Sequence, residues 1–165
     1  SLPGSPADTA INSVITLTEV SSVITYDPIN PDPVTGSPWL TATRGTDGTL
    51  SGSLTKVDAA HAYWVETSSF APISVTIPDQ GFAALPPATA VGAGWNLVPV
   101  VSITGAAPGS TIAADTYFGS TDWVTAYTFN TQSATWTKIL PKSFHNVSVG
   151  SGYWLYAAAA GILVP

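Results

Sequence analysis

Any acid–base or metal chemistry in this chain must come from two histidines, ten carboxylates and its hydroxyl groups, because cysteine and methionine are both absent. A thiolate nucleophile, a disulfide and a zinc–cysteine site are thereby excluded. Hydrolytic or metal chemistry needs clustered His, Asp and Glu. The two histidines lie far apart, in His61-Ala62-Tyr63-Trp64 and in Phe144-His145-Asn146, and each reads as a surface or strand-end residue rather than a ligand or base. Asp8 and Asp79 lie in Pro/Gly-rich turns, where carboxylates usually cap backbone N–H groups. The loop Asp27-Pro28-Ile29-Asn30-Pro31-Asp32 offers hard oxygens at short spacing, which makes Asp27, Asn30 and Asp32 a weak calcium candidate. It has no closing Glu, and an ordinary Pro-rich loop is the plainer reading. Neither a Gly-x-Ser-x-Gly elbow nor a phosphate-cradling glycine loop is present. The expectation is a non-enzymatic protein with no cofactor and no resident metal.

Composition narrows the partners. Only 8% of the 165 residues are charged, with four Lys+Arg against ten Asp+Glu and a net charge of -6; about a quarter is usual. So few bases cannot neutralise a phosphate backbone or dock on an anionic lipid surface, so neither nucleic acid nor membrane is an expected partner. The longest largely apolar stretch, Tyr153 to Pro165, is too short to cross a bilayer as a helix. Freedom from oxidisable Cys and Met suits an extracellular or cell-surface location. Asn146-Val147-Ser148 fits the N-glycosylation pattern at Asn146.

The elements that position these residues are strands. Val23–Tyr26, Trp39–Thr43, Tyr63–Val65, Ile73–Ile77, Trp95–Val100, Trp123–Phe129, Thr135–Leu140 and Tyr153–Tyr156 are rich in β-branched and aromatic residues. Several alternate with period two, as expected of sheets with one buried face. Fourteen Gly and fourteen Pro fall mostly between them. Two short helices of one or two turns are predicted near Thr9–Ile15 and Ile112–Asp115, each led in by an N-cap type residue. The fold class is all-β.

Most informative is internal repetition. Ala10–Ile15, Tyr26, Trp39 and Tyr63-Trp64 recur as Thr111–Ala114, Tyr127, Trp136 and Tyr153-Trp154, each series closing on an apolar strand (Ile73-Ser74-Val75 and Ile162-Leu163-Val164). This predicts two similar β-sandwich-like modules, residues 1–79 and 88–165, joined by a linker at 80–87 that contains Leu85-Pro86-Pro87. The matched aromatics, with Trp95, are expected to build a Trp/Tyr-rich core in each module, since a large buried ring stabilises by a few kcal/mol.

The order Gly94-Trp95-Asn96-Leu97-Val98, then Tyr127, Trp136 and Gly152-Tyr153-Trp154, with Ala7-Asp8-Thr9 and Tyr26-Asp27-Pro28 in the first copy, resembles a tandem repeat of large secreted and surface proteins of bacteria and archaea. The resemblance implies an extracellular β-rich building block with no defined activity and no catalytic residues. The chain departs from it at Ala62, where Gly is usual, and at the start. If Leu2-Pro3 matches Val98-Pro99, the first module lacks most of its opening strand, which leaves unpaired backbone groups. The missing strand could lie in a longer array, elsewhere in this chain, or in a neighbouring subunit.

The leading expectation is a self-assembling structural protein (surface layer, pilus-like fibre or adhesive appendage), with other copies of itself as partners. Contacts are expected at the two ends, Ser1, Leu2 and Pro3 and Gly161, Ile162, Leu163, Val164 and Pro165. The alternatives are a glycan-binding or adhesion module cut from a larger surface protein, favoured if aromatics line a shallow solvent-facing groove, and a virion decoration or tail protein.

Overall fold

The computed structural model describes residues 9–68, 87–101 and 107–165. Among these the chain is all-β apart from two single-turn helices. In the first half, α1 (Ile11–Val14) precedes β1 (Val20–Tyr26), β2 (Trp39–Arg44), β3 (Leu50–Gly52) and β4 (Trp64–Thr67). They form an antiparallel sheet in the order β3-β2-β1-β4. In the second half come β5 (Thr89–Val91), β6 (Gly94–Pro99), β7 (Thr111–Ala113), α2 (Ala114–Tyr117), β8 (Trp123–Asn130), β9 (Thr135–Ile139), β10 (Asn146–Ser148), β11 (Gly152–Ala157) and β12 (Gly161–Leu163). Here β6-β11-β8-β9 make the large sheet, and β10-β7 and β12-β5 are two-stranded.

The two halves share a unit, β2-β1-β4 matching β9-β8-β11. Ala10 and Ala113 precede the helices with nearly equal backbone angles (φ -60, ψ 129 and φ -59, ψ 131), and neither helix has a side-chain cap. The expected N-cap side chains are replaced by a neighbouring segment, because the first helical N–H reaches a carbonyl across the fold. Ile11 donates to Thr55 O at 3.0 Å and Ala114 to His145 O at 2.9 Å. Likewise the Asp58 N–H donates to Tyr63 Oη, and the Ser148 N–H to Tyr153 Oη, both at 2.9 Å.

Register corrects one landmark. Tyr26 faces Trp39 as Phe129 faces Trp136, and Ile24 faces Trp64 as Tyr127 faces Trp154. Tyr26 therefore corresponds to Phe129, not to Tyr127. The two-residue shift keeps both rings on one face, because strand side chains alternate with period two.

Each large sheet has an aliphatic face turned to its own core. Val20, Val23 and Ala42 pack with α1, Leu50, Leu54 and Val57 in the first half. Val98, Ala126, Leu155 and Tyr153 pack with Tyr117, Phe118, Trp123 and Val147 in the second. Of the repeated aromatics, only Tyr63 and Tyr153 join these cores. The others lie on the opposite sheet faces, so the expectation that they fill the module cores is corrected by strand parity: Trp154 lies between the core residues Tyr153 and Leu155 and must point the other way.

Candidate functional site: an aromatic groove between the sheets

The opposite faces of the two sheets meet through their rings. The Trp154 ring sits 5.3 Å from Tyr26 and 5.7 Å from Trp39. In the matching arrangement Trp64 sits 5.7 Å from Phe129 and 5.8 Å from Trp136. Tilted and edge-on contacts at these separations are favourable for aromatic quadrupoles. Near the middle of this junction the equivalent residues Ala62 and Gly152 touch: a Cβ on Gly152 would lie 2.9 Å from the Ala62 Cβ. Ala62 is fully buried, and Thr25 Oγ1 donates to its carbonyl at 2.7 Å. Thr89 Oγ1 donates to Ala60 O at 3.0 Å and ties the second half to the same turn.

The rings do not close over one another. Tyr26, Trp39, Trp95, Tyr127, Trp136 and Trp154 line an open groove of about 640 Å³. Within it Trp39, Trp95 and Trp136 are 44%, 41% and 51% exposed. The turn before β6 explains how Trp95 reaches the groove. Gly94 adopts φ +97. The buried Asn96 side chain accepts the Gly92 N–H at 2.8 Å and donates to the Gly92 and Gly94 carbonyls at 2.9 and 3.0 Å. In Gly94-Trp95-Asn96 the glycine supplies the turn, Asn96 staples it from inside, and Trp95 faces out. Lys138 stands at the rim with Nζ 6.0 Å from the Tyr127 ring centre.

The titratable groups gather at a different point. His61 Nδ1 lies 2.7 Å from Asp58 Oδ1 and Nε2 lies 3.2 Å from Asp27 Oδ2. The hydrogen bond to Asp58 raises the His61 pKa above its ordinary value; burial opposes this, and the Asp58 and Asp27 charges reinforce it. Burial works against the Asp27 carboxylate, yet bonds from Asn30, the His61 charge and the Ile29 N–H outweigh it and hold its pKa low. Asp58 behaves alike: burial is outweighed by the His61 bond and charge and by the Ala60 and His61 N–H groups. Burial, with the Asp58 charge, pushes the Tyr63 phenol well above its usual range. With a carboxylate at each ring nitrogen, the protonated form of His61 is favoured, and it joins the Asp27 loop to the turn before β4. In the second half the equivalent positions are Asn130, Ser148 and Ser151.

The residues of the weak calcium candidate are engaged in turn hydrogen bonds. Asp27 accepts the Ile29 and Asn30 N–H groups and Asn30 Nδ2 at 3.0, 3.0 and 3.1 Å. Asp32 accepts the Val34 and Thr35 N–H groups at 2.7 and 3.3 Å. These carboxylates cap turns, and Asn30 approaches Asp27 as a donor. Among the described residues no three His, Cys, Asp or Glu side chains are arranged to hold a metal ion.

Of the proposed assembly residues, Ser1, Leu2 and Pro3 lie outside the described residues, as does the predicted strand Ile73–Ile77. Gly161, Ile162 and Leu163 already pair with Val91, Ala90 and Thr89 of the same chain. Leu163 is buried in the second core, so this end completes its own module, while Ile162 and Val164 stay exposed. Pro165 is half-buried and Asn146 is exposed. Sequence reasoning missed Phe144, which is 97% exposed. Lys142 and Phe144 both have positive φ (61 and 58), and no residue pattern in the sequence announces such a turn. No helix of the described residues is long and apolar enough to cross a membrane. Neither family models, curated proteins nor solved structures match this chain.

Proposed function

We propose that this chain is a non-enzymatic, extracellular structural protein that self-assembles, with the aromatic groove as its working surface. The observation that carries the reading is the groove itself: three part-exposed tryptophans converge on one concave surface, on sheets whose other faces pack into the two cores. Contiguous exposed apolar surface of this kind marks an interaction site. The doubly bonded His61 and the low charge support the absence of catalysis and a partner bound by apolar contact. A concentration series in sedimentation velocity, with electron microscopy of the same samples, tests it. Growth of the weight-average mass with concentration is expected, and a single monomeric species up to millimolar protein would sink the proposal.

A second reading, a glycan-binding module, is favoured by the same three tryptophans, whose open faces can stack on sugar rings. Retention on a neutral glycan array, abolished by Trp136→Ala, would support it over assembly.

A further inference from the structure

We infer that Phe144 is a docking knob whose seat is the aromatic groove of a second copy of this chain. This rests on the self-assembly reading and names the two surfaces that would meet. Phe144 occupies the place of Leu54 in the first half: Thr55 and His145, the next residues, give the matching carbonyls to the two helices. Leu54 is buried in its core, whereas Phe144 is 97% exposed. Its turn is held in that form. Both Asp115 carboxylate oxygens accept the Lys142 N–H at 3.0 Å, Ser143 Oγ donates to Leu140 O at 2.5 Å, and His145 Nδ1 lies 2.9 Å from Ser143 Oγ. Two non-glycine residues at positive φ are costly, and such strain persists where the surroundings over-determine it, often at binding surfaces. The turn thus presents a bare ring on a braced support, with Leu140 also 46% exposed.

The opposite charges beside knob and groove point to a second copy as the occupant. Each copy carries -6, so contact between copies needs local compensation. Of the four basic residues, Arg44 is tied to the Val20, Leu17 and Gly48 carbonyls. Lys138 is exposed at the groove rim, and the exposed Asp115 carboxylate sits at the base of the knob. Seating Phe144 in the groove brings Asp115 of one copy toward Lys138 of the next. It also brings Lys142 toward the electron-rich ring faces, which attract cations. Because knob and groove are different surfaces, the contact is heterologous and leaves a free knob and a free groove on each pair. One ring buries little area, so association is weak, on the order of 0.1–1 mM, and effective where copies are crowded.

Sedimentation equilibrium of the whole chain tests this with Phe144→Ser, Trp136→Ala and Lys138→Glu. Phe144→Ser should weaken self-association at least tenfold with no change in melting temperature, as the ring makes no packing contact to lose. Phe144→Ser and Trp136→Ala, each alone monomeric, should form a one-to-one pair when mixed, since the second supplies the knob and the first the groove. Lys138→Glu should weaken association, and Lys138→Arg should preserve it; this arm stands if Trp136→Ala does not fold. Self-association unchanged by Phe144→Ser overturns the inference and leaves the assembly reading in place. A wild-type chain that stays monomeric, with or without glycan in the groove, overturns both.

Discussion

His61 shows what one residue difference does inside a duplicated frame. Where the second half carries Asn130, Ser148 and Ser151, the first carries Asp27, Asp58 and His61, and the ion triad joins the Asp27 loop to the turn before β4. The folded chain raises the His61 pKa above 6.5, so its stabilisation is complete below about pH 6.5 and is lost as pH rises through the folded value. Asp27 and Asp58 are lowered from 3.8, so their share is present above about pH 3.8 and lost as pH falls through the lowered values. The clamp is therefore strongest between those limits. His61→Gln is expected to lower the melting temperature by a few degrees near pH 5.5 and to flatten its decline towards pH 8–9, read by calorimetry across that range. The two matched tyrosines offer a second test. Tyr63→Phe and Tyr153→Phe each leave one partly buried backbone N–H without its acceptor and should each cost about 1–3 kcal/mol in urea unfolding. Equal costs would fit the equivalence of the two bonds, and a negligible cost at both would show that water replaces them. The hydroxyls' partners were not legible in the sequence, because a backbone N–H five residues upstream leaves no trace in composition.

At the scale of elements, the long strands were legible because β-branched and aromatic residues concentrate there, and β1, β2, β6, β8, β9 and β11 lie where those runs predict. The three-residue strands β3, β5, β7 and β10 were not, as so short a segment carries no periodicity of its own; pairing with a neighbour makes it a strand. Thr111–Ala113, read as a helix start, is β7 because Asn146–Ser148 lies alongside it. β3 depends on a glycine. Gly52 sits at φ +151, and a Cβ there would fall 2.2 Å from Thr41 O. Gly52→Ala should destabilise the chain by more than about 2 kcal/mol and loosen Leu50 from the first core, seen as faster amide exchange through residues 50–54. The Asn96 staple makes an opposite kind of prediction. Asn96→Ala removes three hydrogen bonds from a buried turn, and a loss of about 2–4 kcal/mol is expected, with Trp95 fluorescence shifting as its support loosens.

The whole molecule is organised by the meeting of two sheet faces that each half, taken alone, would leave wet. Ala62 and Gly152 allow the close approach, and the rings of Trp64 and Trp154 each lie against the other half. Gly152→Val should separate the halves without removing any core residue. The expected readout is a red shift of tryptophan emission and a lower unfolding midpoint; an unchanged spectrum would show that the contact between the halves is dispensable. Strand propensity and the recurrence of aromatics follow from residue identities and their spacing, which are local quantities, and they determined the all-β class. Which way each recurring ring points was decided by register. One residue of strand parity sends Tyr153 inward and Trp154 outward, and only pairing with β6 and β8 settles that parity. The groove, the triad about His61 and the exposed turn at Phe144 exist only once segments distant in sequence are brought together, so tertiary structure alone decided them.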